Sequence, residues 1–247
     1  MKTLLQIKSS IFSEGGQSSR LTERFIAAWR ESNPDGQVIV RDLALEPIPH
    51  LDAGRFGAFL AKPGERSAAQ QAVIEHSDAL IDELGRADVV VLGLPMYNFG
   101  LPSTLKAYFD HVARAGVTFR YTEKGAVGLL TGKKVYVFSA RGGLYAGTSR
   151  DTQTPYVRDI LAFLGMDDIE FVYAEGLAIS EASKQQGIAR AHAEIDQLLG
   201  SPLGRESQDQ STQAQRDEQG DEEDADLERG DRRLVAVTGA PRTSELL

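Results

Sequence analysis

Three segments of this sequence carry residue types suited to holding a small molecule. The first is Ser9-Ser10-Ile11-Phe12-Ser13-Glu14-Gly15-Gly16-Gln17-Ser18-Ser19-Arg20, a run of hydroxyls and glycines. Hydroxyls and backbone amides at a helix N-terminus can hold a dianionic phosphate without a formal positive charge. The same residues would equally make a serine N-cap and a solvated turn. Neither G-x-x-x-x-G-K-S/T nor G-x-G-x-x-G is present, so a triphosphate loop and the dinucleotide fingerprint find no support.

The second segment, Pro95-Met96-Tyr97-Asn98-Phe99-Gly100-Leu101-Pro102, sets two aromatics and a methionine directly after an apolar run. A flat heterocycle packed along it would bury one face while backbone groups address its edge; a satellite core under the next helix is the other use of such residues. The third, Ser139-Ala140-Arg141-Gly142-Gly143-Leu144-Tyr145-Ala146-Gly147, places glycines where backbone can approach a ligand closely, or simply turn.

These segments depend on the elements around them. Strand patterns fall at Thr3–Lys8, Gln37–Arg41, Asp88–Leu94, Val135–Ser139 and Ile169–Ala174, with helical spacing at Ser18–Arg30, Ala68–Leu84, Pro102–Ala113, Pro155–Leu164 and Glu181–Leu199. Residues 42–67 read as a long, proline-containing connection. Asp88–Leu94 is a continuous β-branched run, the mark of a strand buried on both faces. Five strands, each followed by a helix or a long connection, predict a doubly wound α/β fold with a five-stranded parallel sheet covered on both faces. Ligands of such sheets sit outside the strand carboxyl ends, where the three segments converge.

The chain has 247 residues, no cysteine and a net charge of −9. Thiol chemistry and disulfides are therefore excluded, and the acidity argues against a nucleic-acid partner. The acidity is uneven. Residues 201–231 hold eleven Asp and Glu against three Arg, and residues 232–247 hold three Arg against one Glu, which leaves −3 on the first 200. Tyr173 is the last of the aromatic residues. Residues 1–200 therefore read as one domain, and 201–247 as an acidic extension too poor in apolar residues to order itself; only Leu234–Ala240 looks strand-like. The N-terminal run is too short and polar for a secretory signal, and no stretch is long enough to span a membrane, so a cytoplasmic protein is expected. His50, His76, His111 and His192 lack metal-ligand spacing. Asp82 and Glu83 are sequence neighbours pointing different ways around a helix, and form no acid/base pair.

The combination of KSS…GGQSSRL, PMYNFGLPSTLKAYFDHVARAGVTFRYTEKG and ARGG resembles the bacterial FMN-dependent azoreductases, flavodoxin-like NAD(P)H:quinone and azo-compound oxidoreductases, over residues 1–200. The resemblance implies that Ser10, Gly16, Gln17 and Ser18 hold the FMN phosphate. Met96, Tyr97, Asn98 and Phe99 would line the isoalloxazine, and Ala140, Arg141, Gly142 and Gly143 would contact its polar end, largely through backbone. Family members often carry a hydroxyl where Ala140 stands; Ser139 is the neighbour that would substitute.

On the same footing, NADH or NADPH would reduce the bound flavin, which would pass electrons to quinones or aromatic azo compounds in a ping-pong cycle. The cofactor would carry the chemistry, so no catalytic side chain is assigned. Phe119, Tyr121, Phe163 and Tyr173 would wall the substrate, Phe163 and Tyr173 from a second subunit if the family's homodimer holds; core positions in a helix and a strand are their other use. The alternative function is an electron-transfer flavodoxin that does not oxidise NAD(P)H.

Overall fold

The computed structural model describes residues 1–200. The expectations for 201–247, including the strand-like Leu234–Ala240, lie outside the described residues. Five parallel strands form one sheet: β1 (Thr3–Lys8), β2 (Gln37–Asp42), β3 (Val89–Pro95), β6 (Lys134–Ala140) and β7 (Asp168–Ala174), in the order β2-β1-β3-β6-β7. β1 pairs on one side with β2, Thr3 opposite Gln37, and on the other with β3, Leu4 opposite Val89. The chain thus winds outward in one direction from β1 and in the other from β3. The gap between these two strands is the switch point, where neighbouring loops diverge and leave a crevice.

Alternation along each strand sends side chains into two separate cores. Leu5, Ile7, Val90, Leu92, Leu94, Val135 and Val137 meet α3 (Ala68–Arg86), α4 (Ser103–Val112) and α5 (Gln153–Leu164) on one face. Leu4, Val91 and Phe138 meet α1 (Gln17–Ser32) and α6 (Glu181–Gly200) on the other, through Phe25, Ile26, Trp29, Ala191 and Ile195. β3 is buried from Val90 to Pro95, as its continuous apolar run predicts.

Three features differ from the sequence reading. The connection after β2 contains a helix, α2 (Ala53–Leu60), whose two glycines and short length masked its pattern. Phe119–Thr122 (β4) and Gly125–Gly128 (β5) form an antiparallel hairpin outside the main sheet. Only Phe119 of β4 is buried, so the hairpin has no alternating apolar face to read. Pro102 is the N-cap residue of α4 instead of lying in its first turn.

Candidate functional site

The loop after β1 passes through a short turn, Ser13–Gly15, to the N-terminus of α1. Ser9 Oγ donates to the Gly93 carbonyl of β3 at 2.6 Å, and Ser13 Oγ donates to Asp42 at the end of β2, so the loop is fastened on both sides. Ser10 is buried; its Oγ accepts from Phe12 N at 3.2 Å and shares a hydrogen bond with the Tyr97 hydroxyl at 3.3 Å. Gly16 lies directly over it: a Cβ there would stand 2.2 Å from Ser10 Oγ, so only glycine fits.

α1 starts without a side-chain cap. Its first turn leaves amides with no intrahelical partner. α2 and α3 are closed differently, α2 by Asp52 accepting from Arg55 N at 2.8 Å and α3 by a reciprocal Ser67–Gln70 capping box. Ser18 and Ser19 are fully buried in the open turn of α1, and neither hydroxyl has a hydrogen-bond partner among the described residues. An unpaired buried hydroxyl costs about 1–3 kcal/mol. This turn packs on β3, where a Cβ at Gly93 would sit in van der Waals contact with the Ser18 carbonyl, 3.4 Å away.

The loop after β3 is a tight two-residue reversal. Tyr97 and Gly100 exchange backbone hydrogen bonds of 3.1 and 2.9 Å, and Asn98 and Phe99 between them have φ of 50° and 62°. Both central residues are thus left-handed, as in a type I′ turn. Asparagine tolerates that region; phenylalanine does not, at a cost of about 1–2 kcal/mol. Neighbours hold it there. Thr152 Oγ1 donates to the Phe99 carbonyl, and Gln153 Nε2 donates to the Pro95 and Gly100 carbonyls at 2.9 Å each. The result presents Asn98 and the half-exposed Phe99 ring outward, with Tyr145 edge-on to Phe99 at 5.6 Å.

The loop after β6 is fixed from below. Arg141 is entirely buried: Nε donates to Ser139 Oγ at 2.9 Å, Nη1 to Glu175 at 3.2 Å, and Nη2 to Thr154 Oγ1 and Asp151 at 3.0 Å each. Its guanidinium also lies 5.0 Å from the centre of the Tyr173 ring. Burial raises the Asp151 carboxyl, but hydrogen bonds from Arg141 and Thr154 outweigh it and hold the group below the usual carboxylate range. Ser139, the expected substitute for a hydroxyl at Ala140, is fully buried with its Oγ accepting from Arg141. Ala140 instead accepts from Met96 N at 3.0 Å, joining the β3 and β6 loops.

The three loops meet at one end of the sheet: Ser10 pairs with Tyr97, Phe99 packs on Tyr145, and Met96 N donates to the Ala140 carbonyl. The four aromatics expected over a substrate are not together. Phe119 packs on Phe163 at 4.3 Å and on the exposed Tyr121 at 5.5 Å, while Tyr173 lies under Arg141 with its hydroxyl 3.0 Å from Thr154 Oγ1. Phe163 is ten residues along α5 from Gln153, roughly 15 Å of helix away.

Sequence reasoning missed Asp151, Gln153, Thr154 and Glu175, which hold the loops. Glu175, the first residue after β7, stood at a strand carboxyl end, and that placement was its available signal. A groove of about 970 Å³ lies elsewhere, against α2, α3 and α4, and is lined by Arg55, His76 and His111. Burial lowers the His111 pKa below the usual histidine value. Among the described residues no group of three or more His, Asp or Glu could hold a metal, and no helix is long and apolar enough to cross a membrane.

The family model of the flavodoxin-like fold matches residues 1–199. The chain belongs to this flavodoxin-like family. Within it, the chain is 56% identical over 199 residues to a protein of Cellvibrio japonicus named FMN-dependent NADH:quinone oxidoreductase, covering 81% of this chain and 99% of that protein. An azoreductase structure from Bacillus anthracis superposes with a TM-score of 0.74 at 29% identity, covering 81% of this chain and 99% of the other. A second structure from that species, an FMN-dependent NADH-azoreductase in complex with FMN, gives 0.72 at 26% identity over 81% and 100% of the two chains.

Proposed function

We propose that this flavodoxin-like chain is an FMN-dependent NADH:quinone oxidoreductase that also cleaves aromatic azo bonds. The observation that carries the reading is the open N-terminus of α1 at the switch point, with the Ser18 and Ser19 hydroxyls buried and unpaired. Such groups are costly until a ligand satisfies them, and a phosphate oxygen is the acceptor they suit. Gly16, bare of a side chain, lets the start of α1 close directly onto Ser10. The residues present therefore fit FMN: Ser10, Gly16, Gln17 and Ser18 at the phosphate, Met96, Tyr97, Asn98 and Phe99 along the ring, and Ala140, Arg141, Gly142 and Gly143 at its polar end.

Bound there, FMN would supply the two-electron chemistry that links NADH oxidation to reduction of a quinone or azo bond. The chain's own contribution is geometric. The strained Asn98–Phe99 turn would offer an aromatic face and an amide side chain at the ring's edge. The names of its relatives point to NADH as the donor.

Phe119, Tyr121 and Phe163 form one cluster at the far end of α5, so in this reading a second copy delivers them to the ring, which makes the working unit a homodimer. Stacking on flat acceptors predicts loose selectivity among quinones and azo dyes. The direct test is anaerobic: FMN-loaded protein should lose its yellow colour on adding NADH and regain it on adding a quinone. Persistence of the colour with NADH would rule the enzyme out and leave the one-electron flavodoxin reading.

A further inference from the structure

Glu175 is 5% exposed, and a single carboxylate oxygen accepts three hydrogen bonds: Tyr145 N and Ala146 N at 2.9 Å each and Arg141 Nη1 at 3.2 Å. The residues before Tyr145 are held differently. The carbonyls of Arg141, Gly142 and Gly143 accept from Leu177, Ala178 and Gly176 at 3.2, 2.9 and 3.0 Å. Every peptide bond in the described chain is trans, so each N–H points opposite to the carbonyl of its own peptide unit. The amides of Gly142, Gly143 and Leu144 therefore all face away from the 176–178 segment. None of the three has a protein partner among the described residues.

Three successive unpaired amides make a donor surface for electron-rich ligand atoms. The 176–178 segment holds their peptide carbonyls on the opposite side, and just after them the chain reverses, the next two amides turning back onto Glu175. Gly143 permits the fold, because a Cβ there would stand 2.6 Å from the Tyr145 ring.

Resting on the FMN reading above, we propose that Glu175 is a positioning residue for the flavin: it folds the β6 loop so that the amides of Gly142, Gly143 and Leu144 meet the ring's polar end, and it places a negative charge behind them. Arg141 carries one positive charge between Asp151 and Glu175, so the buried cluster has one net negative charge. That charge opposes negative charge arriving on the ring and holds the midpoint potential down.

The test uses the full chain stripped of FMN, titrated with FMN by fluorescence quenching, with the midpoint potential read on the reloaded protein and amide hydrogen exchange read on the apoprotein. Glu175→Ala should weaken FMN binding about ten- to a hundredfold, the loss of one or more charge-assisted hydrogen bonds. It should also speed exchange at Tyr145 and Ala146. Glu175→Gln keeps an acceptor oxygen and removes the charge, so it should retain most of the affinity while the potential moves positive.

If Glu175→Ala does not fold, Glu175→Gln decides alone, and an unchanged potential in that variant overturns the proposal. Unchanged affinity and unchanged loop exchange in a folded Glu175→Ala also overturn it. Failure of wild-type apoprotein to take up FMN would overturn the functional reading and this inference together, a result distinct from either variant failing against a wild type that binds.

Discussion

At the β1 end of the candidate site, the first turn of α1 is left open, with Ser18 and Ser19 buried and without partners. At the β6 end, one buried arginine engages two carboxylates and two hydroxyls, and one of those carboxylates also gathers two loop amides. The first region bears a cost that only a ligand removes. The second bears the desolvation of three charges, offset internally, and gains a fixed loop geometry. Chemistry that must be satisfied by the ligand and chemistry that must hold still for it are thus kept apart, on different strands of the same sheet edge.

Substitutions should expose this difference. The largest effect is expected at Arg141. Arg141→Met leaves Asp151 and Glu175 buried without their cation, and should destabilise the apoprotein by about 3–5 kcal/mol, read by urea denaturation. A change under about 1 kcal/mol, the range of exposed ion pairs, would mean that the network is not the closed structure described.

Ser18→Ala should behave in the opposite way. Removing an unpaired buried hydroxyl should leave apoprotein stability unchanged or raise it by roughly 1 kcal/mol, while FMN affinity falls about tenfold. Equal losses in both would place Ser18 with the scaffold and erase the contrast. The smallest effect belongs to the acidic extension: a chain ending at Gly200 should bind FMN as the full chain does, because the relatives' length is matched by residues 1–199. A lost affinity in that titration would give the extension a part in the site.

The sheet was readable from sequence because its inner strands β1, β3 and β6 are largely buried on both faces, and continuous apolar runs such as Asp88–Leu94 have few other uses. The three loops were readable because each follows such a strand and carries hydroxyls, aromatics or glycines out of keeping with an ordinary solvated turn. The holding network was not. Glu175 and Arg141 are 34 residues apart, and Asp151 reaches Arg141 from ten residues further along the same loop. A carboxylate in a sequence gives no sign of whether it will be buried. The hairpin β4–β5 escaped for the converse reason, since it buries almost nothing that would impose a period. The use of Ser139 was likewise illegible: residues 139 and 141 share a face, so its hydroxyl meets the Arg141 side chain 2.9 Å away.

The central claim is that the open turn of α1 is a phosphate site. Apoprotein titrated in parallel with FMN and with riboflavin, which has the same ring and no phosphate, tests it most directly. The loss of several hydrogen bonds to a dianion should make riboflavin bind at least about a hundredfold more weakly, and Ser18→Ala should narrow that gap. Equal affinity for the two ligands would contradict the account.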